Sequence, residues 1–529
     1  MILFSLFILL TAAALPSINV ASLHLARCAT LTFLSAGALA ANVFNISAMG
    51  PGVSLFEGQL QVTPITQSVD AFVFVVAAVI VGFVWAPGGF MSTAKTSEGT
   101  VNTAFPPLAE YSVILLFTTL GASILVSSTS LVTLYLGVEL QSFAVYVLAS
   151  LYRSSESSSA AALKYFFIGG LSSAFILMGG AVVYWQTGCT DLWHVFNLVN
   201  ELPNTPEIQE KTLPSDMITL IHVHAGTLLG LEAILLGVLM KTASAPFHFW
   251  APDVYDGVPT VVTTWLTLIP KISLLTFILH LSVNLYNTSV LDMTNTWYTQ
   301  ASTWTTLLAT CSMLSLIIGT IVGLAQFRVK RLLAYSTISH IGFLVLALAV
   351  NTGVGVDAFA FYLAQYTITT LDAFLILLAL GYSLRALNKD LRAHATDFEL
   401  NQDLSGQFYV NPILGLAFSA CLFSMAGVPP LVGFFGKQAV LSSAMQAGYG
   451  FLAFVGIVTS VVSATYYLGL VKAIHFQNPT YTFNVLPLAL TPVHSYAIAT
   501  LTIAVTLFIL APFLVLDSTC LLALVFHPA

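Results

Sequence analysis

Four lysines, Lys164, Lys241, Lys271 and Lys437, and one glutamate, Glu139, stand inside long apolar stretches of the chain. A charge at the centre of a hydrocarbon layer costs at least about 2.5 kcal/mol on insertion scales, so something must offset it at each position. A buried amine without a full-time carboxylate gives up and regains its proton more readily than a solvated one, as a proton relay requires. Lys241, Lys271 and Lys437 lie well inside their segments and share one central carboxylate, Glu139, which leaves two amines without an obvious acidic partner. Asp372 and Glu232 are the other candidates, but Glu232 is nine residues before Lys241, a poor match to the spacing of helical neighbours. His340, in Ser336-Thr337-Ile338-Ser339-His340, is the other natural proton carrier, because imidazole titrates near pH ~6.5. Each residue also has a plainer reading. Lys164 is about one turn inside its helix and can snorkel to the interface. The central charges can form ion pairs that fix helix register, and a lone buried histidine is often a satisfied core residue.

The segments that must position these groups are irregular. Lys241 precedes Thr242-Ala243-Ser244-Ala245-Pro246, Lys271 directly follows Pro270, and Lys437 follows Gly427-Val428-Pro429-Pro430 and Gly433. Proline removes an intrahelical hydrogen bond, and unwound backbone at membrane depth implies a polar cavity, although a packing kink explains any single break equally well.

The whole composition agrees with a bilayer as the main solvent. Of 529 residues, 57% are hydrophobic and only 7% charged, and the mean hydropathy is +0.92. Apolar runs of about 20 residues, each long enough to span as a helix, recur throughout and do not alternate in polarity, which excludes a closed barrel. Hydropathy predicts an all-α polytopic membrane protein with about 14 transmembrane helices, centred near residues 10, 36, 78, 118, 140, 172, 238, 271, 314, 341, 370, 428, 461 and 508. The first run, Ile2 to about Val20, has no basic flank or A-x-A cleavage site and reads as a retained helix. Interruptions at Met49 to Gly52, Ala86 to Gly89 and Asn351 to Gly355 are rich in turn formers. Two segments, Thr190 to Asp216 and Leu387 to Gln407, are polar enough to be sizeable loops.

The basic residues fall on one side of this layout. Arg27, Lys95, Arg153, Arg328, Lys330, Arg331, Arg385, Lys389, Arg392 and Lys472 occupy odd-numbered loops. The even loops hold only Lys211, among Glu201, Glu207, Glu210 and Asp216. Basic residues collect on the cytoplasm-equivalent side, which puts both termini on the opposite face. The five cysteines are scattered without a C-x-x-C pair, and neither G-x-G-x-x-G after a strand nor a P-loop occurs, so cofactor binding and metal ligation are expected of partners rather than of this chain. A net charge of −7 argues against nucleic acid partners, whereas the basic loops suit anionic phospholipid headgroups such as those of cardiolipin.

Two blocks, roughly Pro107 to Asn284 and Trp304 to Phe476, each contain about five spans with a proline-broken fourth, a pattern of transporter repeats. Their sequence likeness is thin, best at Ala174-Phe175-Ile176-Leu177 against Ala373-Phe374-Leu375-Ile376.

Four stretches carry a resemblance. They are Leu136-Gly137-Val138-Glu139-Leu140-Gln141-Ser142-Phe143, the run from Lys241 through Pro246-Phe247-His248-Phe249-Trp250-Ala251-Pro252-Asp253 to Gly257, the run Lys330 to Gly342, and the run Gly427 to Lys437. Over roughly residues 108 to 475 the chain resembles the subunit 2 family of NADH:ubiquinone oxidoreductase, complex I, in its mitochondrial form. Val258-Pro259-Thr260-Val261-Val262-Thr263-Thr264-Trp265 is similar to fungal members. The resemblance implies an antiporter-like fold with two inverted five-helix repeats and discontinuous helices. It divides the chain into N-terminal helices (1–107), a first repeat (108–285), a second repeat (300–476) and a C-terminal loop and helix (477–529). It further implies a proton relay through Glu139, Lys241, Lys271, His340 and Lys437, in which Glu139 pairs with Lys241 and His340 lies between the halves. NADH, FMN, iron–sulfur clusters and ubiquinone would belong to other membrane-arm and accessory subunits, in the mitochondrial inner membrane. A stand-alone cation/proton antiporter uses the same lysine and glutamate frame, and a scaffold held by buried charges is the remaining alternative.

Overall fold

Inside a bilayer a free backbone N–H or C=O finds no water, and a helix satisfies these groups within one segment, so long apolar runs fold helically. The computed structural model of the chain describes residues 1–14, 22–44, 52–84, 109–152, 155–201, 215–286, 301–387, 399–478 and 492–526. The helices in order are α1 (Ile2–Ala14), α2 (Ser22–Phe44), α3 (Pro64–Val84), α4 (Ala109–Ser127), α5 (Leu131–Ser150), α6 (Glu156–Thr187) and α7 (Leu192–Glu201). Then come α8 (Ser215–Thr242), α9 (Trp250–Gly257), α10 (Thr260–Tyr286), α11 (Ala301–Leu324), α12 (Val329–Val350) and α13 (Gly353–Leu387). The last are α14 (Gln407–Val410), α15 (Pro412–Ala426), α16 (Val432–Gln446), α17 (Gly450–Phe476), α18 (Pro492–Thr506) and α19 (Phe513–Phe526). One antiparallel hairpin, β1 (Val53–Leu55) with β2 (Leu60–Val62), is the exception to all-α structure among the described residues.

Ten helices among the described residues are long and apolar enough to cross a membrane: α3, α4, α5, α6, α8, α10, α11, α12, α13 and α17. The remaining expected segments are also helical, with particular differences. α1 and α15 are shorter apolar helices. The segments centred near 428 and 508 are each two short helices, parted at Gly427–Leu431 and at the turn around Phe508–Leu510. Conversely, α10 runs unbroken through Pro270, so the expected irregularity beside Lys271 is absent. The polar loop after α6 contains the amphipathic α7. Lys95, Arg153, Glu207, Glu210, Lys211, Lys389, Arg392 and the Ala86–Gly89 turn lie outside the described residues.

α10, α12 and α13 are almost wholly enclosed by protein, whereas α6 and α17 leave one face outward. Enclosure on this scale requires close helix approach. α6 packs on α8 with Gly179 against Gly230: a Cβ at Gly179 would come within 2.4 Å of the Gly230 carbonyl oxygen. The many Ser and Thr residues of the enclosed helices return their hydroxyls to the preceding turn, as Thr264 Oγ1 of α10 does to the Val261 carbonyl at 2.7 Å.

Residues from odd-numbered loops gather at one end of the bundle. Arg328 bridges to Leu400, its guanidinium meets Asp256 at 2.8 Å, and Asp253 takes both Arg331 and Lys164. Residues from even-numbered loops gather elsewhere: Leu60 of the hairpin bridges to Ser128, and Ser130, the N-cap of α5, bridges to Asp191. Each set is assembled from distant loops of one parity, an arrangement that supports the alternation read from the basic residues. The ion pairs at the basic end are reached by solvent, so Arg331→Ala is expected to cost no more than about 1 kcal/mol. An unchanged amount of folded protein in membranes is the check.

Candidate proton path

Glu139 lies in α5 and Lys241 in the last turn of α8, and their carboxylate and ammonium meet at 3.3 Å with both side chains almost fully buried. The sequence places the break that exposes this lysine. Ala243 takes a left-handed backbone (φ 65), which L side chains adopt only at a cost, and Pro246 prevents the helix from resuming. Backbone groups freed by the break are taken up locally. Ser244 Oγ donates to the Leu239 carbonyl at 3.0 Å, the Ala245 N–H to Ser315 Oγ at 2.8 Å, and the Trp250 indole to the Met240 carbonyl at 3.0 Å. A cation in the last turn is further favoured by the helix dipole.

Lys271 is buried in α10 without a carboxylate partner among the described residues. Its Nζ donates to Thr337 Oγ1 of α12 at 3.4 Å and stands over the Tyr255 ring of α9 at 5.2 Å. Next to it, Ser273 Oγ donates to Gln141 Oε1 at 3.0 Å, which joins α10 to the helix of Glu139. Gln141 Nε2 is buried and has no protein partner.

His340 lies in α12 between two tyrosines from other helices. Its Nδ1 is 2.7 Å from the Tyr362 hydroxyl of α13, and its Nε2 is 3.4 Å from the Tyr467 hydroxyl of α17, which also contacts Ser336. Which nitrogen carries the proton follows from the direction of these bonds, and either tautomer is compatible with two hydroxyls that can each donate or accept.

Lys437, in the first turns of α16, points back across the break. Its Nζ donates to the carbonyls of Met425 and Ala426 at 2.9 Å each and stands over the Phe343 ring at 5.7 Å. These are the last carbonyls of α15, left open because Gly427 (φ 90) ends the helix. A helix C-terminus is the end that attracts a cation, so the ammonium is stabilised there without any carboxylate.

Three of the five expected residues meet along α12, and the Ser273–Gln141 hydrogen bond links α10 to the helix of Glu139, which pairs with Lys241. Thr337, His340 and Phe343, three residues apart on α12, touch Lys271, the tyrosine pair and Lys437 in turn. At 1.5 Å per residue these three contacts span about 9 Å of one helix. Lys164 is half-exposed, as a snorkelling side chain would be, and pairs with Asp253 at 2.9 Å at the basic end. One expectation is corrected. Asp372 has no lysine partner among the described residues: it receives a hydrogen bond from Cys421 at 3.0 Å. Glu232 is partly exposed and in no ion pair among the described residues. The roles of Thr337, Tyr362, Tyr467, Gln141 and Ser273 were not assigned from sequence, because hydroxyls and amides are abundant here and carry no spacing signature.

The sequence and the fold are both shared with known proteins. The NADH-ubiquinone oxidoreductase chain 2 of Rhizopus oryzae is 43% identical over 481 residues, which are 90% of this chain and 86% of that protein. The profile described as NADH:quinone oxidoreductase/Mrp antiporter, transmembrane, matches residues 128–463. The chain belongs to this family, on its complex I chain 2 branch. A chain of respiratory complex I from Thermus thermophilus with bound aureothin superposes with a TM-score of 0.72 at 28% identity, over 98% of this chain and 99% of that one. A chain of the Mrp complex from Dietzia sp. DQ12-45-1b shares the fold at a TM-score of 0.76 and 18% identity, over 100% of this chain and 97% of that one. The family relationship thus covers the broken helices, all five ionisable residues above and, in the fungal relative, most of the flanking sequence.

Proposed function

We propose that this chain is an antiporter-like subunit of the complex I membrane arm that moves protons through Glu139, Lys241, Lys271, His340 and Lys437. The observation that carries this reading is the unequal partnering of the amines: Lys241 has a carboxylate at 3.3 Å, whereas Lys271 and Lys437 are held by neutral oxygens and ring faces. An ammonium held by neutral groups can give up its proton and remain as a neutral amine without stranding a buried counter-charge. Glu139 holds Lys241 protonated. Weakening of that pair releases the proton towards Lys271, whose arriving charge biases His340 and Lys437 in turn, and Lys437 discharges outward. NADH oxidation and ubiquinone reduction, with FMN and iron–sulfur clusters, take place in partner subunits and drive these changes.

The finer architecture follows from the same reading. Fourteen crossings are counted when each split pair, α15–α16 and α18–α19, is taken as one, with two inverted five-helix repeats at 108–285 and 300–476. Residues 1–107 and 477–529 flank them. The basic end faces the matrix, both termini face the intermembrane space, and the mitochondrial inner membrane supplies cardiolipin to the basic loops. The strong likeness to a fungal chain 2 supports this location.

Glu139→Gln keeps the shape of the side chain but removes the charge that holds Lys241. Proton translocation per NADH oxidised, measured in vesicles at matched content of assembled complex, is expected to fall about fivefold or more, the effect of losing ~1 kcal/mol of coupling. An unchanged ratio at normal assembly would instead favour buried charges that only hold helices together.

A further inference from the structure

Asp372 of α13 is a fully buried carboxyl that the relay above does not use. Its Oδ2 accepts a hydrogen bond from the Cys421 thiol of α15 at 3.0 Å, and its Oδ1 is buried without a protein partner. No cation pairs with it among the described residues. A register-fixing carboxylate would have an opposite charge beside it, and a structural acceptor would have both oxygens engaged. Asp372 has neither, and an unpaired acid inside a membrane bundle marks a functional position.

Its place along the bundle indicates the function. α15 starts at Pro412, near the end where Arg328 and Leu400 join, and Cys421 lies nine residues farther in, about 14 Å of helix. Met425 and Ala426, whose carbonyls hold the Lys437 ammonium, follow Cys421 by one turn, about 6 Å deeper. Asp372 therefore sits between the basic end of the bundle and Lys437.

We propose that Asp372 is a proton-carrying station that loads Lys437 from the face of the membrane lined by Arg328 and Arg331. The proposal rests on the relay reading above and extends it with a separate entry for the second half. In the step, the Oδ1–H bond of Asp372 breaks, and its proton passes through a bridging water to the neutral Lys437 amine, where a new N–H bond forms. Asp372 is left as a carboxylate, steadied by the Cys421 hydrogen bond, and a proton from the aqueous face restores the acid. Charge is conserved and no electron moves.

The test compares Asp372→Asn, Asp372→Glu and Lys437→Met in vesicles at matched content of assembled complex. Asp372→Asn can still accept from Cys421 but cannot carry a proton, so protons moved per NADH are expected to fall severalfold, and Asp372→Glu is expected to recover most of the loss. Normal pumping in Asp372→Asn beside impaired pumping in Lys437→Met overturns the Asp372 station alone, whereas normal pumping in both overturns the relay as well. Infrared difference spectra of the working complex supply a measurement that does not need Asp372→Asn to assemble. A carboxyl C=O band that shifts in D2O and changes frequency in Cys421→Ala supports the proposal, and the absence of any band sensitive to Cys421→Ala overturns it.

Discussion

Lys437→Met is expected to abolish most proton-coupled NADH oxidation by the assembled complex while leaving its assembly largely intact. Methionine approximates the length and volume of the lysine stem and keeps the contact with Phe343. It removes the ammonium that bridges the Met425 and Ala426 carbonyls at 2.9 Å. Those carbonyls end a buried half-helix, so their loss of a partner is a local penalty of roughly 1 to 3 kcal/mol. Function loses much more, because the site has no second amine and no carboxylate to substitute for Lys437 among the described residues. Positioned proton-transfer groups supply factors of about a hundred or more, so a fall of at least about tenfold in coupled turnover is the conservative expectation. Coupled turnover and complex content must be measured together. A fall in content with normal turnover per complex would assign Lys437 to holding α15 and α16 together.

The second large effect is structural and lies in the same break. Gly433→Ala is expected to deplete the assembled complex severely. A Cβ at Gly433 would stand 1.9 Å from the Ser424 carbonyl oxygen and 2.8 Å from its carbon, and both are backbone atoms of α15 that no rotamer change can move aside. The Gly433 N–H also donates to Ser424 Oγ at 3.2 Å, so the first turn of α16 is fastened directly onto the last turn of α15. Relief requires the two half-helices to separate and takes the Met425 and Ala426 carbonyls away from Lys437. The destabilisation should reach or exceed the ~3 kcal/mol upper end of ordinary overpacking. Gly170→Ala is the control, since a Cβ there meets nothing within 4 Å and alanine favours a helix by up to about 1 kcal/mol. Thermal unfolding and complex content should fall for Gly433→Ala and hold or rise for Gly170→Ala. Equal behaviour of the two variants would show that α15 and α16 do not make this close contact.

Much of this site was legible before folding was considered. Ionisable residues are so rare in the apolar runs that Glu139, Lys241, Lys271 and Lys437 identify themselves, since each carries a desolvation cost that a merely tolerated residue would not. The breaks after Lys241 and before Lys437 were also legible, because proline and glycine act on backbone conformation through local sterics alone. Pro270 was misleading for the same reason. A single proline inside an enclosed helix disturbs it only locally when neighbouring helices pack around it, and α10 continues past it. Hydropathy merged α18 with α19, because a window of about 19 residues averages over the short turn around Phe508–Leu510.

By itself, the sequence determined that the protein lives in a membrane, which runs of it are helical, and which charges had to find partners inside the bundle. These properties follow from transfer free energies and local backbone sterics, which act residue by residue. Only the tertiary structure decided what each charge meets. Lys271 meets the hydroxyl of Thr337 and the ring of Tyr255, Lys437 meets the carbonyls of the preceding half-helix, and Asp372 meets a thiol rather than an amine. His340 lies between Tyr362 and Tyr467, the latter 127 positions away in the chain. The reason is physical: lipid is as apolar as a helix interface, so hydropathy says that a helix is buried but not against what. That choice is made by side-chain shape, by glycines that let backbones touch, and by a few buried hydrogen bonds, which exist only once the helices have packed.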